Sequence, residues 1–288
     1  MRACRLLRRL LPSAKGILLK SRPGECGHST EDCLLRFRQS SFIVAHSYSA
    51  NILQSVVGAV GKGWGAQLKQ LDLRSNIIAD SVTLLASALP ACTTLQELNL
   101  EHNSLGDDGV EVLASALPEC SALVSLLLGD NSIGKHGMTQ LARALSRCPC
   151  LRTLELGGNR IEDDGLRSLA EVLPQCASLA LLNVGRNGLK NGSVAALAQA
   201  LPRAPSLCAL GLARNYGLSA GLTALAADAQ ARNALSAVTA LDLSTTGMGH
   251  ADAAQLASSL ACCLGLASLK LQVISRVNSV WENREKEY

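Results

Sequence analysis

Aromatic residues are scarce in this sequence. Seven Phe, Tyr and Trp residues among 288, about 2%, are too few to centre one large conventional core, where big rings usually carry much of the packing energy. Leucine and alanine must do that work, which favours many small similar contacts over one central core. Charge is also thin at 17%, but 48% of residues are hydrophobic, which excludes a disordered main body. No collagen, coiled-coil or disulfide-dense pattern is present. No stretch reads as a convincing membrane span: residues 39–61 carry no Lys, Arg, Asp or Glu, but Gln39, His46, Asn51 and Gln54 interrupt them. No G-x-S-x-G, H-E-x-x-H or closely paired Cys ligand set occurs, and no cofactor or metal is expected.

Acidic residues are absent from residues 1–24, which hold seven basic ones, while the rest has 20 basic against 23 acidic and a net charge of −3. That composition fits either an organelle transit peptide or a disordered basic arm. The body lacks the basic face of a nucleic-acid binder.

What is present in abundance is repetition. LKQLDLRSN (68–76), LQELNLEHN (95–103), LVSLLLGDN (123–131), LRTLELGGN (151–159), LALLNVGRN (179–187) and LCALGLARN (207–215) share L-x-x-L-x-L-x-x-N, with Asn steps of 27, 28, 28, 28 and 28. A seventh copy, VTALDLSTT (238–246), carries Thr246 for Asn, and an eighth, LASLKL (266–271), is cut short. The L-x-L core alternates as a short strand does. Val110, Leu113, Ala114 and Leu117 then recur at helical spacing, Asp107 and Asp163 stand near helix starts, and Pro90, Pro118, Pro174 and Pro202 mark helix ends. One unit cannot bury its own leucines, but stacked units can. Strands lie ~4.8 Å apart and helices about 8–10 Å, so the stack bends with its sheet inside.

The expectation is an α/β solenoid, a partial horseshoe of about eight strand–helix units with a parallel sheet on the concave face. Its parts would be a leader or disordered arm (1–24), an N-terminal cap or helical region (25–66), the array (67–271) and a polar tail (272–288). Ile274 stands where the next Asn would fall, as at a truncated or alternatively spliced end.

This pattern resembles the leucine-rich repeats of the ribonuclease-inhibitor subtype, also found in the C-terminal arrays of NOD-like receptors. The resemblance implies a non-catalytic protein-interaction scaffold. Two alternatives come with it: a fragment of a NOD-like immune receptor, and a GTPase activator of the Ran-activator type, with Arg74, Arg160 or Arg186 in the finger role. The long acidic C-terminal run of that second family is missing.

Cys92, Cys120, Cys148 and Cys176 are spaced by 28 and fill one slot at the helix-to-strand bend, too far apart for disulfides. They read as buried structural thiols in a reducing, cytoplasmic setting, against the organelle alternative that the leader suggests. The Asn column reads as a structural ladder. GAVGKGWGA (58–66) lacks the Ser or Thr of a P-loop and precedes a strand, so it reads as a flexible junction. Acid pairs Asp107-Asp108 and Asp163-Asp164 share one slot and suit helix starts better than acid–base chemistry.

Between the leucines the residues vary, and those columns are free for recognition. The expected partner-binding residues on the concave face are Asp72, Arg74, Glu97, Asn99, Glu101, Leu127, Asp130, Glu155, Asn183, Arg186, Arg214 and Asp242. Acids gather early, small residues in the middle of the third column (Gly129, Gly157, Gly185) predict a shallow trough, and Arg186 and Arg214 sit at loop edges. The expected partner of this monomer is a protein with a basic patch that docks on the N-terminal half.

Overall fold

The computed structural model describes residues 16–19, 42–45, 51–227, 238–260 and 266–271. The rest of the basic leader, the polar tail from 272, His28 and the Cys262-Cys263 pair lie outside the described residues.

Ten short parallel strands form one open sheet in chain order. They are β1 (Gly16–Leu19), β2 (Phe42–Ala45), β3 (Gln70–Asp72), β4 (Glu97–Asn99), β5 (Ser125–Leu127), β6 (Thr153–Glu155), β7 (Leu181–Asn183), β8 (Ala209–Gly211), β9 (Ala240–Asp242) and β10 (Ser268–Lys270). Helices alternate with them: α1 (Asn51–Ala59), α2 (Val82–Ala88), α3 (Gly106–Ala116), α4 (Lys135–Leu145), α5 (Glu162–Val172), α6 (Asn191–Ala200), α7 (Ser219–Ala227) and α8 (His250–Leu260).

The register makes the leucine spine explicit. Leu71, Leu98, Leu126, Leu154, Leu182, Leu210, Leu241 and Leu269 stand opposite one another in consecutive strands. All but the last are buried. The helices close the other side: α3 buries Val110, Leu113 and Ala114, the stripe its spacing predicts. The prolines sit within short 3-10 turns just past the helices, as in Leu117–Glu119 and Leu173–Gln175, and the following Cys N–H closes the turn onto the leucine carbonyl.

The sheet starts earlier than the sequence motif does. Ile43 on β2 pairs with Leu71 and is fully buried. α1 then buries Leu53, Val56 and Ala59, so β2 and α1 supply the strand and helix of the repeat plan without its Leu and Asn signature. Trp64 precedes Gly65, which takes the cysteine position in this 27-residue step (Leu68 N–H bonds the Gly65 carbonyl as Leu95 N–H bonds that of Cys92), and is 1% exposed. The segment around it is a tight bend instead of a loose junction: Gly63 has φ +92°, and a Cβ on Gly65 would lie 2.6 Å from the Ala91 carbonyl oxygen. β1 falls inside the segment read as a leader and pairs with β2.

The asparagine ladder holds the strand-to-helix turns. Asn131 Nδ2 donates to the carbonyls of Leu128 (3.1 Å) and Gly129 (3.1 Å) in its own repeat and of Leu100 (2.8 Å) in the preceding one. Its Oδ1 accepts the N–H groups of Asn103 (3.1 Å) and Leu105 (3.3 Å). Asn159, Asn187 and Asn215 repeat this arrangement. The residue before each ladder position is left-handed in all seven repeats: Ser75, His102, Asp130, Gly158, Arg186, Arg214 and Thr245 have φ between 53° and 75°. Only one of these is glycine, so the ladder holds six side-chain-bearing residues in a conformation they disfavour. Asp107 and Asp163 also act between repeats. Asp107 Oδ1 accepts the Gly134 N–H (2.6 Å) at the start of α4, and Asp163 Oδ1 accepts the Lys190 N–H (2.7 Å) at the start of α6.

Candidate functional site: the concave face

The central strand column is less free than its variability suggests. Asp72, Asn99, Glu155, Asn183 and Asp242 each turn a side-chain oxygen onto the backbone N–H two residues on, at 2.9–3.1 Å. Each thereby satisfies an N–H at the strand end, where the turn begins. Asp72 also forms an ion pair with Arg74 at 2.8 Å. Leu127 occupies the same column with no oxygen to offer and is half-buried.

Glu155 Oε1 takes a second hydrogen bond from Asn183 Nδ2 at 2.6 Å. Burial pushes its carboxyl above the ordinary glutamate range; the bonds from Asn183 and Gly157 oppose this, and the nearby Glu101 and Asp130 charges add to it.

The expected trough in the third column is not the pocket. A Cβ on Gly129 would lie 3.2 Å from Glu101 Oε1, and one on Gly157 2.9 Å from Glu155 Oε1. The small residues are there because carboxylates fold over them. The space opens further along, where a pocket of about 270 Å³ is lined by Leu181, Ala209, Gly211 and Ala240 together with Glu155, Asn183, Asp242, Ser268 and Lys270. Leu181 is 37% exposed, one of four large hydrophobic side chains in the described structure that are. Sequence reasoning missed this shelf, although its signal was available. The first strand column runs Gln70, Glu97, Ser125, Thr153 and then turns apolar at Leu181, Ala209 and Ala240.

Glu97 and Glu101 are half-buried on the N-terminal half, and neither has an ion-pair partner among the described residues. Asp130 is engaged at the rim: Arg186 Nη2 donates to its Oδ1, and His102 Nε2 lies 3.7 Å from its Oδ2. This strap links loops of three repeats, so Arg186 is occupied, as Arg74 is by Asp72. Arg160 and Arg214 are exposed. The structure thus leaves Glu97 and Glu101, at the start of β4 and just past its end, as acids open to a partner, and ties Asp72, Arg74, Asn99, Asp130, Glu155, Asn183, Arg186 and Asp242 into the scaffold.

The thiol column is buried as expected. Cys92, Cys120, Cys148 and Cys176 are free cysteines. Burial raises them to about 11, 12, 11 and 11, far from a nucleophile's range. Among the described residues no group of three His, Cys, Asp or Glu could hold a metal, and no helix is long and apolar enough to cross a membrane.

A 28-residue strand–helix unit with a buried asparagine at each turn decides the family question, and a family model described as "Leucine Rich repeat" matches residues 91–114 and 147–170. The chain is a leucine-rich repeat protein. Its full helix in each unit makes it of the ribonuclease-inhibitor-like kind. No curated protein sequence matches it. Similar solved structures include the actin-binding site 2 of leiomodin-1, 15% identical with a TM-score of 0.42, covering 55% of this chain and 88% of that one. Another is the C-terminal domain of Caenorhabditis elegans tropomodulin, 18% identical with a TM-score of 0.43, covering 54% and 93%. The repeat geometry, not these likenesses, carries the assignment.

Proposed function

We propose that this leucine-rich repeat protein is a non-catalytic scaffold that captures a basic protein partner on its concave face. The observation that supports this is the pair Glu97 and Glu101, which stand in one repeat at the start of β4 and two residues past its end, half-buried and without a cation of their own. Most other concave-face carboxylates and guanidiniums have internal partners. A GTPase activator would need a free guanidinium on its rim; Arg74 and Arg186 are held by carboxylates, which weighs against them in that role. The reduced thiol column suits a cytoplasmic scaffold.

The test is affinity capture by the full chain against its Glu97→Lys/Glu101→Lys variant, with circular dichroism to confirm that both are folded. Captured proteins should be lost from the variant and should elute from the wild type with rising salt. Glu155 is left out of the variant because its oxygen holds Asn183 and Gly157, so reversing it would damage the scaffold itself. Capture unchanged by the double reversal refutes the reading.

A further inference from the structure

We propose that the open shelf around Leu181 on the C-terminal half of the concave face anchors one large apolar side chain of a helical segment, whose basic residues lie about ten positions away over Glu97. This rests on the concave-face reading above and specifies its ligand.

Three observations lead to it. First, the shelf is open and offers an apolar edge: Leu181 is 37% exposed beside Ala209 and Ala240, around a pocket of about 270 Å³ that Glu155, Asn183, Asp242, Ser268 and Lys270 also line. That volume suits a side chain better than a free drug-sized molecule, for which about 300–1,000 Å³ is usual. Second, Glu97, which has no ion-pair partner among the described residues, sits at a defined distance. Glu97 is on β4 and Leu181 on β7, both in the first strand column of a sheet in continuous register. Three strand spacings of ~4.8 Å put them about 14 Å apart along the face. Third, the face offers no backbone partner. The strands' backbone groups are committed to their parallel neighbours, so an extended segment laid across them would leave its own amides unpaired above an apolar surface. A helix satisfies its backbone internally. At 1.5 Å per residue, ten residues span about 15 Å, and ten or eleven residues are three turns. An anchor and a basic cluster at that separation face the same way and fit both halves at once.

The probe is a library of random 20-residue peptides displayed on phage and selected on the intact chain. Selected peptides should carry Lys or Arg about ten positions from a Leu, Phe, Trp or Met, and should gain helicity on binding. Leu181→Asp should weaken them at least tenfold. That side chain points away from the spine, so Leu182 is untouched; a second variant, Ala240→Glu, checks the same shelf independently, and thermal melts show whether either is folded. The Glu97→Lys/Glu101→Lys variant should weaken the same peptides at least tenfold, more so at low salt. Selection without binders overturns the inference, as do peptides lacking the spacing. Peptides that bind both folded shelf variants within threefold of wild type, yet are lost from the acid variant, overturn the shelf and leave the concave-face reading standing. Peptides indifferent to all of these variants overturn both.

Discussion

Truncating two neighbouring rungs of the asparagine ladder, Asn131→Ala and Asn103→Ala, should cost very different amounts although the side chains look alike and both are fully buried. In Asn131→Ala the Leu100 and Leu128 carbonyls keep a second amide donor, from Asn103 and Asn159. The Gly129 carbonyl keeps the His102 N–H. What is lost outright is the acceptor for the Asn103 and Leu105 N–H groups. A buried orphaned donor costs about 1–3 kcal/mol, so two of them, with the weakened carbonyl bonds, come to ~4 kcal/mol. Asn103 also donates to Leu73 and Glu101 carbonyls that have other donors. Its Oδ1, however, has no hydrogen-bond partner among the described residues. The preceding loop explains this: the Asn76–Asn103 step is 27 residues where the others are 28, so the donors of the first turn do not reach it. Asn103→Ala orphans no donor and should cost about 1–2 kcal/mol. Urea unfolding gives the totals. Amide hydrogen exchange at residues 103 and 105 gives the local effect, since opening in a repeat array can be confined to a few units. Equal losses for the two variants, or unchanged exchange at 103 and 105 in Asn131→Ala, would refute the ladder's energetic role.

Three further outcomes follow from the same structure. Thr245 holds φ +61°, a conformation costly for a residue with a Cβ, so Thr245→Gly should stabilise the array by roughly 0.5–1 kcal/mol; a fall in the melting temperature counts against this. Glu155 has its carboxyl raised by burial, so its ionisation opposes folding, and its contribution is lost as pH rises through the folded value. Glu155→Gln keeps the acceptor for Asn183 and Gly157, and should raise the melting temperature at pH 8 relative to wild type but much less at pH 4. A gain that does not grow with pH would refute it. Iodoacetamide at pH 8 should label exposed Cys150 rapidly in the native protein and leave Cys92, Cys120, Cys148 and Cys176 unmodified until unfolding, as read by peptide mass mapping; equal labelling of Cys120 and Cys150 would contradict the burial.

The array was legible because its constraint is strict. One leucine slipped by a single place would turn toward water, so Leu98, Leu126 and Leu154 had to recur in step. The strand before the first motif was not legible because Ile43 stands where the later strands carry leucine. The site was half legible. The residues themselves marked the acids as unusual, but Glu155 and Glu101 do not differ in sequence terms: only the hydrogen bonds from Asn183 and Gly157 show that one is structural.

That distinction bears on where recognition sits in such an array. The central column varies in identity, but five of its members perform one task, accepting the N–H two residues on, which Asp, Asn and Glu can all do. Variation there is therefore partly degeneracy of a structural role and not freedom to bind. The first column carries no such duty. Its side chains change from Gln70 and Glu97 through Ser125 and Thr153 to Leu181, Ala209 and Ala240 without altering the ladder or the spine. Chemistry that changes along the stack, with a single long Gln70–Glu97 hydrogen bond (3.5 Å) among its side chains, is free to be shaped by a partner, and Leu181, left partly in water at the mouth of a pocket, is the position where that freedom costs the isolated chain most.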